Sequence, residues 1–134
     1  MKNNSTLKKV QYADAVAASK EYFGGDELAA TVWVSKYALK DSFGHIYETT
    51  PKDMHNRIAA ELERIESKYP NPMSREEIFS LLDHFRYIIP QGGPMTGIGN
   101  NLQVASLSNC FVIGNRQHAD SYGGIFRMDE EQVQ

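Results

Sequence analysis

Apolar positions along this chain fall into two regimes. Over the first two-thirds they recur at helical spacing; over the last third they gather into short runs separated by glycine. The clearest stripe is Met54, Ile58, Leu62, Ile65 and Tyr69, whose steps of four, four, three and four predict one amphipathic helix. Thr50 stands at its N-cap with Pro51 at the first helical position and Asp53 able to support the cap, and Pro70 and Pro72 stop it. The next helix opens on Ser74-Arg75-Glu76-Glu77, a capping box, with Met73 and Ile78 placed as a hydrophobic staple. Ile78, Leu81, Leu82 and Phe85 form its apolar face. Upstream, the alanine-rich stretch Tyr12 to Phe23 predicts a first helix ended by Gly24-Gly25, since glycine takes the left-handed cap conformation without penalty. Asp26 then caps a second helix, Glu27 to Leu39, with Leu28, Val32 and Tyr37 near one face and Trp33 beside them. Asp41-Ser42-Phe43-Gly44 reads as a turn.

After Phe85 the pattern changes. Tyr87-Ile88-Ile89 is a short β-prone run ending at Pro90, followed by a glycine-dense stretch from Gln91 to Asn101. Cys110-Phe111-Val112-Ile113 is a second β-prone run, closed by Gly114-Asn115. Asp120-Ser121 caps a last helix through Ile125, Met128 and Val133, which Gly123 and Gly124 weaken by about 1 kcal/mol each relative to alanine. That helix reaches the end of the sequence with no glycine cap and no following proline. Two strands are too few for an independent sheet. The expectation is therefore a mainly α chain: a helical domain over residues 1–86, then residues 87–134 as the first, incomplete part of a larger α/β unit.

Composition narrows the function classes. At 134 residues the chain has the length of one ordinary domain, and its 41% hydrophobic and 23% charged residues are close to globular averages. A net charge of −3 supplies no broad attraction to DNA, RNA or an anionic membrane. No apolar run approaches the roughly 20 residues that span a bilayer. The first six residues lack the apolar stretch of a secretion signal, so a cytoplasmic location is expected. One cysteine, Cys110, excludes an internal disulfide and a cysteine-based zinc site, and the four histidines show no helical i, i+4 pair, so no metal is expected.

Three stretches could carry chemistry. In the glycine-dense loop, Gly97-Ile98-Gly99 is followed by Asn100-Asn101-Leu102, so the third glycine of the dinucleotide fingerprint is missing, and no Gly-Lys-Ser/Thr follows. Such a loop lets backbone approach something closely, and a plain loop and a ligand-contacting loop are equally compatible with it. Cys110, at the start of a β-prone run, reads either as a small core hydrophobe or as a reactive thiol; nothing adjacent in sequence activates it. Glu61, Glu63 and Glu66 read as a solvated helix face.

Several segments, in order, resemble the large subunit of ribonucleotide reductases, and in wording the adenosylcobalamin-dependent (class II) type. These are Glu21-Tyr22-Phe23-Gly24-Gly25-Asp26-Glu27-Leu28-Ala29-Ala30 with its continuation through Leu39, Thr50-Pro51-Lys52-Asp53-Met54-His55, and Lys68-Tyr69-Pro70-Asn71-Pro72. They are similar to the family's all-helical N-terminal region. Pro90-Gln91-Gly92-Gly93-Pro94-Met95 with Gly97-Ile98-Gly99-Asn100 is similar to the loop leading into its ten-stranded barrel. Ser106 to Ile113 resembles the first barrel strand, and Asp120-Ser121-Tyr122-Gly123-Gly124-Ile125 the helix after it.

The resemblance implies removal of the ribose 2′-hydroxyl from a ribonucleotide, whether diphosphate or triphosphate, to make deoxyribonucleotides for DNA synthesis. A cysteine thiyl radical takes the 3′-hydrogen, and two further cysteines supply the electrons and close to a disulfide. Adenosylcobalamin, as cofactor of the complete enzyme, starts the radical by homolysis of its cobalt–carbon bond. Carried over residue by residue, Cys110 takes the place of the first reducing cysteine, and Asn109 and Cys110 fall where the family contacts the nucleotide. Gly93 falls where the family has a serine or threonine hydroxyl on the substrate phosphate, so only backbone groups remain there. The radical cysteine, the partner reducing cysteine, the catalytic asparagine and glutamate, and most of the cobalamin site belong to later parts of the barrel. The resemblance thus implies an N-terminal fragment, inactive alone, whose partner is the remainder of the reductase or a complementary subunit. The alternative is a non-catalytic helical binding module, a truncated paralogue acting on a partner subunit. Because the barrel would be incomplete, the thiol of Cys110 is expected to be accessible and its strand prone to self-association.

Overall fold

The structure, a computed structural model, describes residues 8–108, 110, 112–114 and 120–133. Six α-helices make up its regular structure: α1 (Tyr12–Tyr22), α2 (Glu27–Lys36), α3 (Pro51–Glu66), α4 (Arg75–Leu82), α5 (Gly92–Gly97) and α6 (Tyr122–Val133). A 3₁₀ turn, Asp83–Phe85, follows α4 directly. Helices α1 and α2 pack as one pair and α3 and α4 as another.

The helix ends obey the local chemistry. Helix α1 closes in a Schellman motif: Gly25 N–H donates to the Lys20 carbonyl at 2.8 Å and Gly24 N–H to Glu21 at 3.0 Å, with φ of +64° at Gly24 and +100° at Gly25. The Asp26 carboxylate accepts the Ala29 N–H at 2.9 Å and so starts α2. At α3, the Asp53 carboxylate accepts from the N–H groups of Thr49 and Thr50 at 2.8 and 3.0 Å. At α4, Ser74 N–H donates to Glu77 Oε2 at 2.8 Å and Glu77 N–H returns to Ser74 Oγ at 3.3 Å, the capping box that the spacing predicts.

Helix α2 stops at Lys36 rather than Leu39. The Lys40 ammonium takes the orphan carbonyls of Val34 and Ser35 at 2.7 and 2.6 Å, and Leu39 N–H is drawn to the Glu48 carboxylate at 2.8 Å. Its buried face also differs from the expected one. Ala30, Trp33 and Val34 point inward, whereas Leu28 is 75% exposed. Ala15 of α1 and Ala30 of α2 are fully buried where the two helices pack, Trp33 and Val34 fill the core, and Leu28 is left on the outer face.

Between α2 and α3 the chain runs extended, making isolated bridges from Ile46 to Val10 and Lys40 around the expected Asp41–Gly44 turn. One core joins these parts: Ala15, Trp33, Val34, Ala38, Ile46, Met54, Ile58, Ala59, Ile78, Leu82 and Met95. Trp33 is tied into it by its indole N–H, which lies 3.4 Å from Met54 Sδ.

No β-strand forms among the described residues. Tyr87, Ile88 and Ile89 are exposed, and the N–H groups of Tyr87 and Ile88 both turn back to the Leu81 carbonyl. A β-prone run becomes a strand only against a partner ladder, and none faces it here. The described part of the second run, Cys110, Val112 and Ile113, is exposed and likewise not a strand; Phe111 lies outside the described residues. The glycine-dense stretch, in contrast, is not simply a loop: it contains α5. Helix α6 forms where the Asp120-Ser121 signal places it, with Ser121 Oγ accepting the Gly124 N–H at 3.1 Å, and most of its side chains are exposed. No helix of the described residues is long and apolar enough to cross a membrane.

Candidate functional site

Among the described residues, two of the polar groupings in the apolar interior centre on side chains of α3. The first is Arg57. Its Nε donates to Glu48 Oε1 at 2.7 Å and its Nη2 lies 3.3 Å from Glu48 Oε2, a two-pronged ion pair between side chains only 10% and 5% exposed. The same guanidinium reaches the glycine-rich segment: Nη2 donates to the Met95 carbonyl at 2.9 Å and Nη1 to the Ile98 carbonyl. Glu48 is held in turn by Leu39 N–H. Arg57 therefore joins α3, the extended segment and the C-terminal end of α5.

Helix α5 presents Gly93, the residue that the family resemblance puts at the substrate phosphate. Thr96 Oγ1 donates back to the carbonyls of Gly92 and Gly93 at 3.0 and 3.2 Å, and Met95 inserts into the core. Gly99 has φ +70°, and a Cβ there would stand 2.9 Å from Arg57 Cγ and 3.2 Å from the Arg57 carbonyl. Only glycine lets the chain lie this close on α3. Beyond α5 the chain folds back, so that a Cβ on Gly97 would meet Leu107 Cδ2 at 2.7 Å. Three residues later Cys110 is exposed, as expected for its thiol. Asn109, the other nucleotide-contacting candidate, lies outside the described residues. A polar cleft of about 330 Å³ borders α5, lined by Ser35, Lys36, Lys40, Asp41, Thr96 and Asn100 among others.

The second grouping surrounds His55, which is fully buried with neither ring nitrogen hydrogen-bonded. Phe85 meets its ring edge-on at a centroid distance of 4.7 Å, and Asp83 Oδ1 stands 4.0 Å from Nδ1. Burial pushes the imidazole down to about 4, against the pull of the Asp83 carboxylate, so the ring is neutral at pH 7. Tyr22 closes this corner: its hydroxyl donates to Asp83 Oδ1 at 3.0 Å and accepts the His84 N–H at 2.6 Å, and its ring stacks on His84 at 4.5 Å. Burial and the neighbouring Asp83 carboxylate raise the Tyr22 hydroxyl above the ordinary tyrosine value, while the His84 N–H opposes them. His84 and Phe85 have φ of +53° and +54°, a left-handed turn that non-glycine residues seldom adopt.

No group of three or more His, Cys, Asp or Glu among the described residues is placed to hold a metal ion. Arg57, Glu48 and His55 escape sequence reasoning. The one available signal is that Arg57 flanks the apolar stripe, one position before Ile58. Glu48 lies in an aperiodic segment, and the partners of His55 are 28 or more residues away, where periodicity carries no information.

No curated protein and no solved structure matches the chain. The family model described as ribonucleotide reductase, all-alpha domain, matches residues 23–94. The matched residues include α2, α3 and α4 entire and run to Gly93 and Pro94 in α5, so the Arg57–Glu48 pair and the His55, Asp83 and Phe85 part of the second grouping lie within them, with Tyr22 just outside. Covering more than half of the chain, the match agrees with the helical architecture: this protein belongs to the ribonucleotide reductase family and carries its all-alpha domain.

Proposed function

We propose that the chain is the N-terminal part of an adenosylcobalamin-dependent ribonucleotide reductase large subunit, with residues 1–86 as its helical domain and residues 87–134 as the start of its catalytic barrel. The observation that supports a reductase large subunit is the all-alpha match running to Pro94, in the segment whose continuation holds Cys110; the cobalamin-dependent type rests on the resemblance of the helical-region motifs. In the complete enzyme, Gly93 and Asn109 border the ribonucleotide, and Cys110 is one of two reducing cysteines. Each of the two thiols gives one electron and one proton, a disulfide forms between them, and the ribose 2′-hydroxyl leaves as water. The second cysteine and the radical cysteine come from the remainder of the reductase or from a complementary subunit, since Cys110 is the only cysteine here.

Adenosylcobalamin would supply the initiating radical. Three clefts among the described residues, bordering α5, α6 and the α3–α4 junction, have volumes of about 330, 590 and 530 Å³. Those are volumes that take a drug-sized ligand, and a corrinoid is far larger. None of these three clefts is large enough for a corrinoid, and no step within this chain is routed through the cofactor.

The test is reconstitution. The chain is co-expressed with the polypeptide encoding the remaining barrel, and reduction of ribonucleoside diphosphates and triphosphates is measured with and without adenosylcobalamin. Cobalamin-dependent deoxyribonucleotide formation, abolished by Cys110→Ser, is the expected result. Activity indifferent to Cys110, or a stable monomer that ignores nucleotides and reductase subunits, would replace this reading with a helical binding module.

A further inference from the structure

We infer that Arg57, oriented by Glu48, is a positioning residue for the glycine-rich segment, holding α5 in the conformation that presents Gly93. The assignment of a substrate to that segment rests on the reductase reading above; the clamp itself rests on geometry.

Helix α5 has six residues, too few to be stable on its own. Ile98 N–H reaches the Pro94 carbonyl at 3.1 Å, but the carbonyls after it are not closed by the helix, and a helix end must find donors elsewhere. Asn100 supplies two, its N–H to the Gly97 carbonyl at 3.1 Å and its side-chain amide to Thr96 at 3.1 Å. Arg57 supplies the others, to Met95 and Ile98. A guanidinium is suited to this because its planar fork has donors left after a carboxylate occupies one edge. Glu48 fills that edge, cancels the buried charge and fixes the plane of the fork.

Gly99 is an independent sign of the same fit. Its left-handed backbone and the 2.9 Å approach that a Cβ would make to Arg57 Cγ show a chain shaped to the stem of this arginine. The Arg57 clamp is distinct from the Met95 anchor. Met95 ties one side chain to the core, whereas Arg57 holds two carbonyls and so sets the rotation of the helix. The residues of α5 before Met95, Gly93 among them, inherit that rotation.

Arg57→Ala alone would leave Glu48 as an uncompensated buried charge and unfold the domain, which says nothing about positioning. The informative variant is R57M/E48M, because apolar residues of similar volume commonly replace a buried ion pair without loss of stability. Amide hydrogen exchange is followed in this variant and in the parent chain. The expected result is exchange about tenfold or more faster at the Met95, Ile98 and Asn100 amides, and faster at Leu39, which loses its Glu48 acceptor, with α1 and α4 unchanged. Arg57→Lys keeps the charge but not the fork, and should loosen the same amides. In the reconstituted reductase, R57M/E48M should raise KM for the ribonucleotide about tenfold with a smaller effect on kcat. Unchanged exchange over residues 92–101 overturns the clamp. Faster exchange with an unchanged KM in an active reductase overturns the substrate role of the segment while the reductase reading stands. Failure of the parent chain to reconstitute any reductase strikes that reading instead, and the exchange result still decides the clamp.

Discussion

Acid should unfold this domain through His55, and the structure sets the size of the effect. The ring is fully buried, has no hydrogen-bond partner and meets Phe85 edge-on, so its charged form is penalised in the folded state. Its affinity for a proton falls to about 4, against an ordinary value of about 6.5 in the unfolded chain. With the folded value the lower of the two, the unfolded chain binds the proton first. Stability is therefore complete above about pH 6.5 and is lost as the pH falls toward about 4. At 1.36 kcal/mol for each tenfold change in affinity, the total loss is about 3 kcal/mol, a large share of the stability of a domain this size. His55→Leu isolates the effect, since carboxylates titrate alike in both proteins. At neutral pH the variant should be at least as stable as the parent, because an unsatisfied buried polar ring costs about 1–3 kcal/mol. Urea unfolding followed by circular dichroism at a series of pH values gives the comparison. The gap between variant and parent should widen by about 3 kcal/mol between pH 6.5 and pH 4. Parallel stability curves would mean that His55 takes its proton in the folded protein, with Asp83 as partner, and would refute the argument from burial.

Further substitutions probe the remaining features. Gly99→Ala combines a left-handed backbone with a clash against Arg57 and should cost about 2 kcal/mol or more in chemical unfolding, where Gly123→Ala, with open space at its Cβ position, should be neutral or stabilising. Ile58→Ala, at the centre of the core, should cost about 2–5 kcal/mol in the same measurement. Ser74→Ala should cost about 1 kcal/mol through loss of the cap, and Glu77→Gln less, because the amide still returns a hydrogen bond. Cys110 should react with a thiol reagent in the native chain as fast as in the unfolded one, since it is exposed. Oxidation should give a disulfide-linked dimer that Cys110→Ser abolishes on a non-reducing gel.

The helices and their ends were legible in the sequence because their causes are local. A Schellman glycine pair, an Asp26 cap, a proline at the first position of α3 and a Ser74–Glu77 box act within five residues, and each appears where the pattern puts it. The buried members of the α3 stripe, Met54 and Ile58, follow from periodicity for the same reason. Tertiary structure decided what depends on a partner distant in sequence. The Lys40 ammonium and the Glu48 carboxylate end α2 three residues early, and the face that packs on α1 and the core is that of Ala30, Trp33 and Val34, which leaves Leu28 outward. A β-prone run such as Tyr87–Ile89 stays out of a sheet when no ladder meets it, and a glycine-rich stretch becomes helical when an arginine 38 and 41 residues away caps it. His55 is the same case in electrostatic form. Its neutrality comes from the burial that α4 and the turn at Phe85 complete, and no neighbour in sequence records it.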